Sequence, residues 1–436
     1  MHTLEQLRAG ALAGVRRLQL ACGLSEFPPE IFDLADTLEI LDLSGNALSA
    51  LPDDLPRLHK LRIIFCSNNQ FTTLPAVLGA CPALSMLGFK TNRIRSVPAA
   101  ALPAQLRWLV LTDNEIEELP AELGRRPLLQ KLMLAGNRLR ALPAELAQCQ
   151  RLELLRIAAN QLEALPAWLP QLSRLSWLAY AGNPFCSESE QAMAGAPDEA
   201  IAWDRLQLEK KLGEGASGVI YRALWQRGDA AEPVALKLFK GAMTSDGSPL
   251  SEMAACLGAG AHPNLIPILG QLEQHPEHTH GLVMTLIDPE FANLAGPPSL
   301  DSCTRDNYPA DKRFGLKEAL AIAHGIASAA SQLHARGIMH GDLYGHNILH
   351  DEHGHTLLGD FGAASFYDPA SAWAQQLQRL EVRAFGCLLE ELIERCDSPP
   401  PALLTQLQAA CMQQDNASRP LFAALAQQLK TLDNSF

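Results

Sequence analysis

Three glycines and a series of lysine, aspartate and asparagine side chains carry the candidate chemistry of this 436-residue chain. Gly213-Glu214-Gly215-Ala216-Ser217-Gly218 has the spacing G-x-G-x-x-G, in which glycines let backbone amides approach a phosphate closely. The same spacing occurs in dinucleotide-binding turns, where the loop joins a strand to a helix. Here Leu206 to Leu212 before the loop and Val219 to Ala223 after it both read as strands, which argues against that use. Downstream come, in order, Val234-Ala235-Leu236-Lys237, His262-Pro263-Asn264-Leu265, His340-Gly341-Asp342-Leu343-Tyr344-Gly345-His346-Asn347 and Gly359-Asp360-Phe361-Gly362. One lysine, two aspartates and an asparagine in this series suit phosphoryl transfer, which asks a protein mainly for positioning and charge neutralisation. Any one of these segments alone is a turn or a solvated loop. Their order carries the reading.

These motifs resemble those of the eukaryotic-type protein kinase family, and the resemblance spans about residues 203–436. It implies an ATP site lined by Leu212, Gly213, Gly215, Ser217, Gly218, Ile220, Ala235 and Lys237, with Met284 near the adenine pocket. Lys237 would contact the α- and β-phosphates and pair with a helix glutamate, for which Glu252 is the best candidate. Asp342 would orient the acceptor hydroxyl or take its proton, while Asn347 and Asp360 would hold Mg2+. Glu381-Val382-Arg383-Ala384-Phe385-Gly386 and Asp415-Asn416-Ala417-Ser418-Arg419-Pro420 resemble two later family segments, D-V-W-S-F-G and D-P-x-x-R-P.

The chain also departs from the family. Gly341 replaces the arginine before the catalytic aspartate, so gating by an activation-loop phosphate is not expected. Tyr344 replaces the lysine usual in serine/threonine kinases, which removes one positive contact to the transferred group. Glu381 follows Asp360 by only 21 positions and no A-P-E triplet intervenes, so the platform for a peptide substrate is trimmed. Ser365, Tyr367 and Ser371 lie in this short segment, without a pattern that marks a phosphosite. The H-G-D form also occurs in aminoglycoside-phosphotransferase-type kinases. Three functions therefore stand: a protein kinase favouring serine/threonine over tyrosine, a small-molecule phosphotransferase, and a nucleotide-binding pseudokinase scaffold.

Several elements must position these residues. The apolar pairs Ile348-Leu349 and Leu357-Leu358 flank a turn at Asp351 to Gly354 and predict a hairpin beneath the nucleotide. A long helix is predicted over Leu316 to Ala335, preceded by an insertion loop from Asp288 to Arg313. The histidines of 275–280 and 350–355 read as hairpin-loop residues rather than metal ligands.

The first half is repetitive. Asparagine recurs at Asn46, Asn69, Asn92, Asn114, Asn137, Asn160 and Asn183, most preceded by alternating apolar pairs such as Leu109 and Leu111. Up to Asn160 each is followed by an apolar-proline pair such as Leu51-Pro52. This resembles the leucine-rich repeat family over about residues 15–185, in about eight units. A unit of this size cannot bury its apolar face alone, so the coils must stack. Just before the first strand leucine runs a mostly apolar column: Ile40, Ile63, Met86, Trp108, Lys131, Leu154 and Trp177. It predicts a protein-binding concave face, with Trp108 and Trp177 as anchors. Such a face would recruit the substrate, so removal of residues 1–195 should weaken phosphorylation and spare ATP binding.

The expected fold is an α/β leucine-rich-repeat solenoid (residues 1–185), a linker (186–202) and an α+β two-lobed protein kinase fold (203–436). Forty-eight acidic residues against 35 basic ones give a formal charge of −13, which disfavours nucleic acid and anionic membranes. No secretory signal or membrane-spanning stretch is read, and the ten scattered cysteines suit reduced thiols in a cytoplasmic protein.

Overall fold

A computed structural model describes residues 2–193, 200–215, 217–241, 243–244 and 246–434. Ala216 of the glycine loop and the linker stretch Pro197-Asp198-Glu199 lie outside the described residues. The chain divides into two compact units, Met1–Leu172 and Ser173–Phe436.

The first unit opens with a short helix, α1 (Leu4–Arg8), capped by the Thr3 side chain. Seven three-residue strands follow: β1 (Arg17–Gln19), β2 (Ile40–Asp42), β3 (Ile63–Phe65), β4 (Met86–Gly88), β5 (Trp108–Val110), β6 (Lys131–Met133) and β7 (Leu154–Arg156). They pair in parallel, each in register with the next coil, so that equivalent residues line up in columns. The inward column Leu41, Ile64, Leu87, Leu109, Leu132 and Leu155 is buried throughout, and it supplies the core that no single coil could close. Cys66 extends that core, and burial pushes its thiol up, with Asp42 adding to the effect.

The recurring asparagines hold the turns together. Asn137 Nδ2 donates to the carbonyls of Leu111 and Leu134, both at 2.9 Å, and Oδ1 accepts from Ile116 N at 3.1 Å. One buried amide therefore satisfies main-chain groups in its own coil and the preceding one, which explains why this residue type recurs at this position.

The apolar column differs from its expectation. Ile63, Met86, Leu154 and Trp177 are buried, and Ile40, Trp108 and Lys131 are half open, so of the two anchors only Trp108 presents surface. In-register neighbours explain part of this. Ile63 lies between Ile40 and Met86, and the Lys131 ammonium sits 4.3 Å from the Trp108 ring centroid. Trp177 belongs to the second unit and is taken up there.

That unit begins with one further coil strand, β8 (Trp177–Ala179), and a helix, α2 (Ser187–Met193). Then come β9 (Ala200–Ala202), β10 (Leu206–Glu214), β11 (Gly218–Arg227), β12 (Ala230–Phe239), α3 (Pro249–Ala259), β13 (Ile268–Glu273) and β14 (Gly281–Thr285). Strands β9 to β14 form one six-stranded sheet in the order β10-β11-β12-β14-β13-β9, over a core of Ile201, Trp225, Leu236, Leu272 and Val283.

The remainder is mainly helical: β15 (Ala292–Asn293), α4 (Leu316–Ala335), β16 (Ile338–Met339), β17 (Ile348–His350), β18 (Thr356–Leu358), β19 (Ser365–Phe366), α5 (Ala374–Glu394), α6 (Ala402–Cys411) and α7 (Phe422–Asp433). The expected hairpin is present as β17 paired antiparallel with β18. The expected insertion is structured at both ends: Ala292 pairs with His350, and Gly296 bridges Asn307. The result is a sheet-rich lobe followed by a helical lobe, with the motif residues on the strands and loops where they meet. All ten cysteines are free thiols. Among the described residues no helix is long and apolar enough to cross a membrane.

Candidate active site

Strand register assembles the upper half of the site. The β10–β11 hairpin sets Gly213 opposite Ile220, and β11–β12 sets Ile220 opposite Lys237. Ala235 lies opposite Met284 across β12 and β14, so both share one sheet level behind the loop. Leu212 is exposed beside it. At Gly218 a Cβ would come within 2.6 Å of the Leu238 carbonyl oxygen, so close strand packing explains this glycine.

Lys237 Nζ is ion-paired with the Glu252 carboxylate of α3. Burial raises Glu252, and nearby Asp360 adds to this, against the lowering pull of Lys237. A cleft of about 190 Å³ is lined by Gly215, Ser217, Gly218, Ile220, Lys237, Asp360 and Gly362. An adjoining recess of about 100 Å³ includes Ile220, Lys237, Glu252, Ile268, Leu282, Met284 and Asp360. The pairing of a polar cleft with an apolar recess suits a triphosphate attached to a planar base.

The lower half is held by hydrogen bonds. Asn347 Nδ2 donates to Asp342 O at 2.9 Å and to Asp342 Oδ2 at 2.8 Å, which fixes the two residues relative to each other. Gly359 N donates to Asn347 O at 3.0 Å, and His340 Nε2 lies 2.8 Å from Gly359 O. These bonds tie the loop bearing Asp342 to the one bearing Asp360. Asp360 has φ +54°, a left-handed conformation unusual outside glycine, and its Oδ1 accepts from Gly362 N at 3.2 Å.

The sequence reading missed how deeply the loop 340–347 is anchored. Glu381 of α5, fully buried, accepts from His340 N at 3.2 Å and Gly341 N at 2.6 Å, and its Oε2 lies 2.6 Å from His334 Nε2. Burial alone would raise this carboxyl, but the bonds from His334 and the amides win and hold it below the usual carboxylate range. From the insertion, Asp306 accepts from His346 N at 3.0 Å, and its Oδ1 lies 2.7 Å from His346 Nδ1. Nothing in the insertion's composition marked Asp306; only the folded chain brings it to the loop.

Burial lowers His346, but Asp306 first and then Asp342 and Asp360 outweigh it, so the imidazole is raised above its ordinary value. A raised histidine contributes stability below about pH 6.5 and loses it as pH climbs through the folded value. Asp306→Asn is therefore expected to remove about 1–3 kcal/mol at pH 6 and less at pH 9. Urea unfolding at both pH values checks this, and an equal loss at both contradicts it.

Two departures acquire a cause. Gly341 has φ +73°, and a Cβ there would lie 2.4 Å from Ala363 O and 2.7 Å from Leu178 O. No room remains for the arginine that the family pattern would place there. Tyr344 is buried, its ring stacked on Trp177 with centroids 4.3 Å apart and planes 5° from parallel. Ser365 and Tyr367 are also buried: Ser365 Oγ accepts from Tyr180 N at 2.8 Å, and Tyr367 donates to His334 O at 2.9 Å. A cut after residue 195 would thus strip Trp177 and Tyr180 from the loop bearing Asp342 and its neighbour, so its effect would not isolate substrate recruitment.

A two-lobed fold with this cleft defines the class of the second unit: a protein kinase domain. The family described as protein tyrosine and serine/threonine kinase matches residues 206–385, and the leucine-rich repeat family matches residues 37–58. The chain thus joins leucine-rich repeats to a protein kinase domain, which uses ATP with a divalent metal in general. It is 31% identical over 149 residues to the probable serine/threonine-protein kinase gdt4 of Dictyostelium discoideum, covering 34% of this chain and 8% of that protein. It is 29% identical over 199 residues to fibroblast growth factor receptor 1 of Xenopus laevis, covering 42% and 24%. Thus it spans less than a third of these relatives' lengths. A leucine-rich-repeat protein of Leptospira interrogans is similar at 25% identity and a TM-score of 0.36, covering 42% of this chain and 53% of that one.

Proposed function

We propose that the second unit transfers the γ-phosphoryl group of Mg2+-bound ATP to a hydroxyl of a protein, serine or threonine ahead of tyrosine. The observation that carries this reading is the joint arrangement of the Lys237–Glu252 ion pair, the Asp342–Asn347 hydrogen bonds and Asp360 in one cleft. Lys237 is placed to hold the phosphates, and its position is set by Glu252. Asp342 is oriented by Asn347 to receive or align the acceptor hydroxyl. Hard oxygen donors from Asn347 and Asp360 suit a magnesium ion that keeps its remaining positions for water and phosphate. When bound, that ion supplies charge neutralisation along the phosphates.

On this reading residues 1–185 are a repeat domain, 186–202 a linker and 203–436 the catalytic domain. The repeats support binding of a protein partner, and Trp108 is half open in their apolar column, as are Ile40 and Lys131. Ten free thiols support a reducing, cytoplasmic setting and a role in signalling inside the cell.

Incubation of the full chain with magnesium, labelled ATP and a protein lysate tests the proposal. Label on serine or threonine of the chain or of a lysate protein is the expected result. Label on phosphotyrosine alone would correct the acceptor. Transfer only to added aminoglycosides would establish the small-molecule reading, and tight ATP binding without transfer the scaffold.

A further inference from the structure

The eighth coil lies within the second unit and is fastened to it at separate points. Arg419 is buried and donates to Ser173 O at 2.8 Å, to Gln413 O at 2.8 Å and to Arg379 O at 3.1 Å. Arg383 donates to Arg174 O at 3.2 Å and to Met412 O at 3.2 Å. Tyr180 N donates to Ser365 Oγ, and the Leu178 carbonyl sits against Gly341. A buried guanidinium, Arg419, and a half-buried one, Arg383, both spent on main-chain carbonyls, fix the backbone on the N-terminal side of β8.

Between these anchors, Trp177 reaches the loop that carries Asp342. Its Nε1 donates to Leu343 O at 3.1 Å, in a buried bond one residue from Asp342. Its indole stacks on Tyr344, and the Tyr344 ring lies 5.0 Å from that of His346, which Asp306 holds from the other side. The loop 340–347 is therefore held on three sides: by Glu381 at its start, by Trp177 at Leu343 and Tyr344, and by Asp306 at His346. Trp177 is not among the residues lining the nucleotide cleft.

We propose that Trp177 is a positioning residue for Asp342, which makes the eighth repeat coil a working part of the catalytic loop. This rests on the phosphoryl-transfer reading of the site. An indole fits the place for two reasons: the flat face covers Tyr344, and the N–H satisfies a buried carbonyl that a phenyl ring could not satisfy. A displacement of about 1 Å at a catalytic group costs about 100-fold in rate, so release of this loop should fall on turnover rather than on nucleotide affinity.

The test compares wild type, Trp177→Phe, Trp177→Ala and Asp342→Asn in the full chain, with ATP turnover at saturating substrate, KM for ATP, and hydrogen exchange of amides 340–347. Trp177→Ala is expected to lower kcat by about 10- to 100-fold with KM for ATP within about twofold, and to speed exchange in that loop. Trp177→Phe keeps an aromatic face against Tyr344 and loses the N–H with part of the ring area, so it should fall between, and it serves if the alanine variant does not fold. Unchanged or increased kcat in Trp177→Phe and in a folded Trp177→Ala would overturn the proposal, as would slowed turnover without faster loop exchange. If wild type turns over no faster than Asp342→Asn, the phosphoryl-transfer reading fails instead; exchange at 340–347 then decides alone whether Trp177 holds the loop.

Discussion

Replacing Glu381 by alanine should destabilise the second unit by about 3–5 kcal/mol and abolish turnover. Its carboxylate receives the amides of His340 and Gly341 and faces His334 across a short contact. Alanine removes the carboxylate that these buried donors share, and each bond lost at a buried group costs about 1–3 kcal/mol. The loop that carries Asp342 begins at these same two residues, so the loss of fold stability and the loss of catalysis share one origin. Glutamine can still accept a hydrogen bond and should be milder. The pH dependence separates the two substitutions from a general packing defect. Since Glu381 is held below its ordinary value, its contribution is present above about pH 4 and fades as pH falls through the folded value. Glu381→Gln should therefore have a shallower loss of stability between about pH 5 and pH 3 than wild type. Urea unfolding across that range measures it. A cost below about 1 kcal/mol for the alanine variant, or identical acid limbs, would contradict the assignment.

Gly341→Ala is expected to cost about 2–5 kcal/mol, the sum of a left-handed backbone penalty and overpacking. At φ +73° an L side chain is already disfavoured, and both atoms nearest the added Cβ are main-chain carbonyl oxygens, of Ala363 and Leu178. Neither can rotate away. Arginine at this position, the residue of the family pattern, should be worse still. It would have to displace either the segment after Asp360 or the eighth coil; these two are bonded to each other through Ser365 and Tyr180, and the coil packs on the loop through Trp177. Thermal unfolding of the full chain, followed as a ladder from glycine through alanine to arginine, checks the order. An arginine variant as stable as wild type would mean that the coil does not hold this position in solution.

The residues legible in the sequence are those placed by local register. The hairpins and sheet that set Ile220 opposite Lys237 and Ala235 opposite Met284 follow from alternation along three adjacent strands, which a linear pattern records. Asn347 lies five positions from Asp342, so one loop sets their hydrogen bonds. Asp306 was not legible because its partner His346 is 40 residues away and nothing periodic connects them. Trp177 was misread for a related reason. In the repeat pattern it occupies the same column as Trp108, and periodicity gives equivalent positions equivalent surroundings. Its neighbour Leu343 lies 166 residues away, so long-range packing alone distinguishes the two tryptophans. The repeats themselves were legible because asparagines such as Asn137 bond within their own coil and to the one before it, at a spacing of 22 or 23 residues.

The most direct test of the account is the single-turnover rate of phosphoryl transfer from magnesium-ATP, measured for wild type and Asp342→Asn under the same conditions. On the proposed reading Asp342 meets the acceptor while Lys237 and Asp360 meet the nucleotide, so the substitution should slow transfer by about 100- to 10,000-fold and leave ATP affinity within about threefold. Equal rates in the two proteins, or no transfer in either, would contradict the assignment of this cleft as a phosphoryl-transfer site.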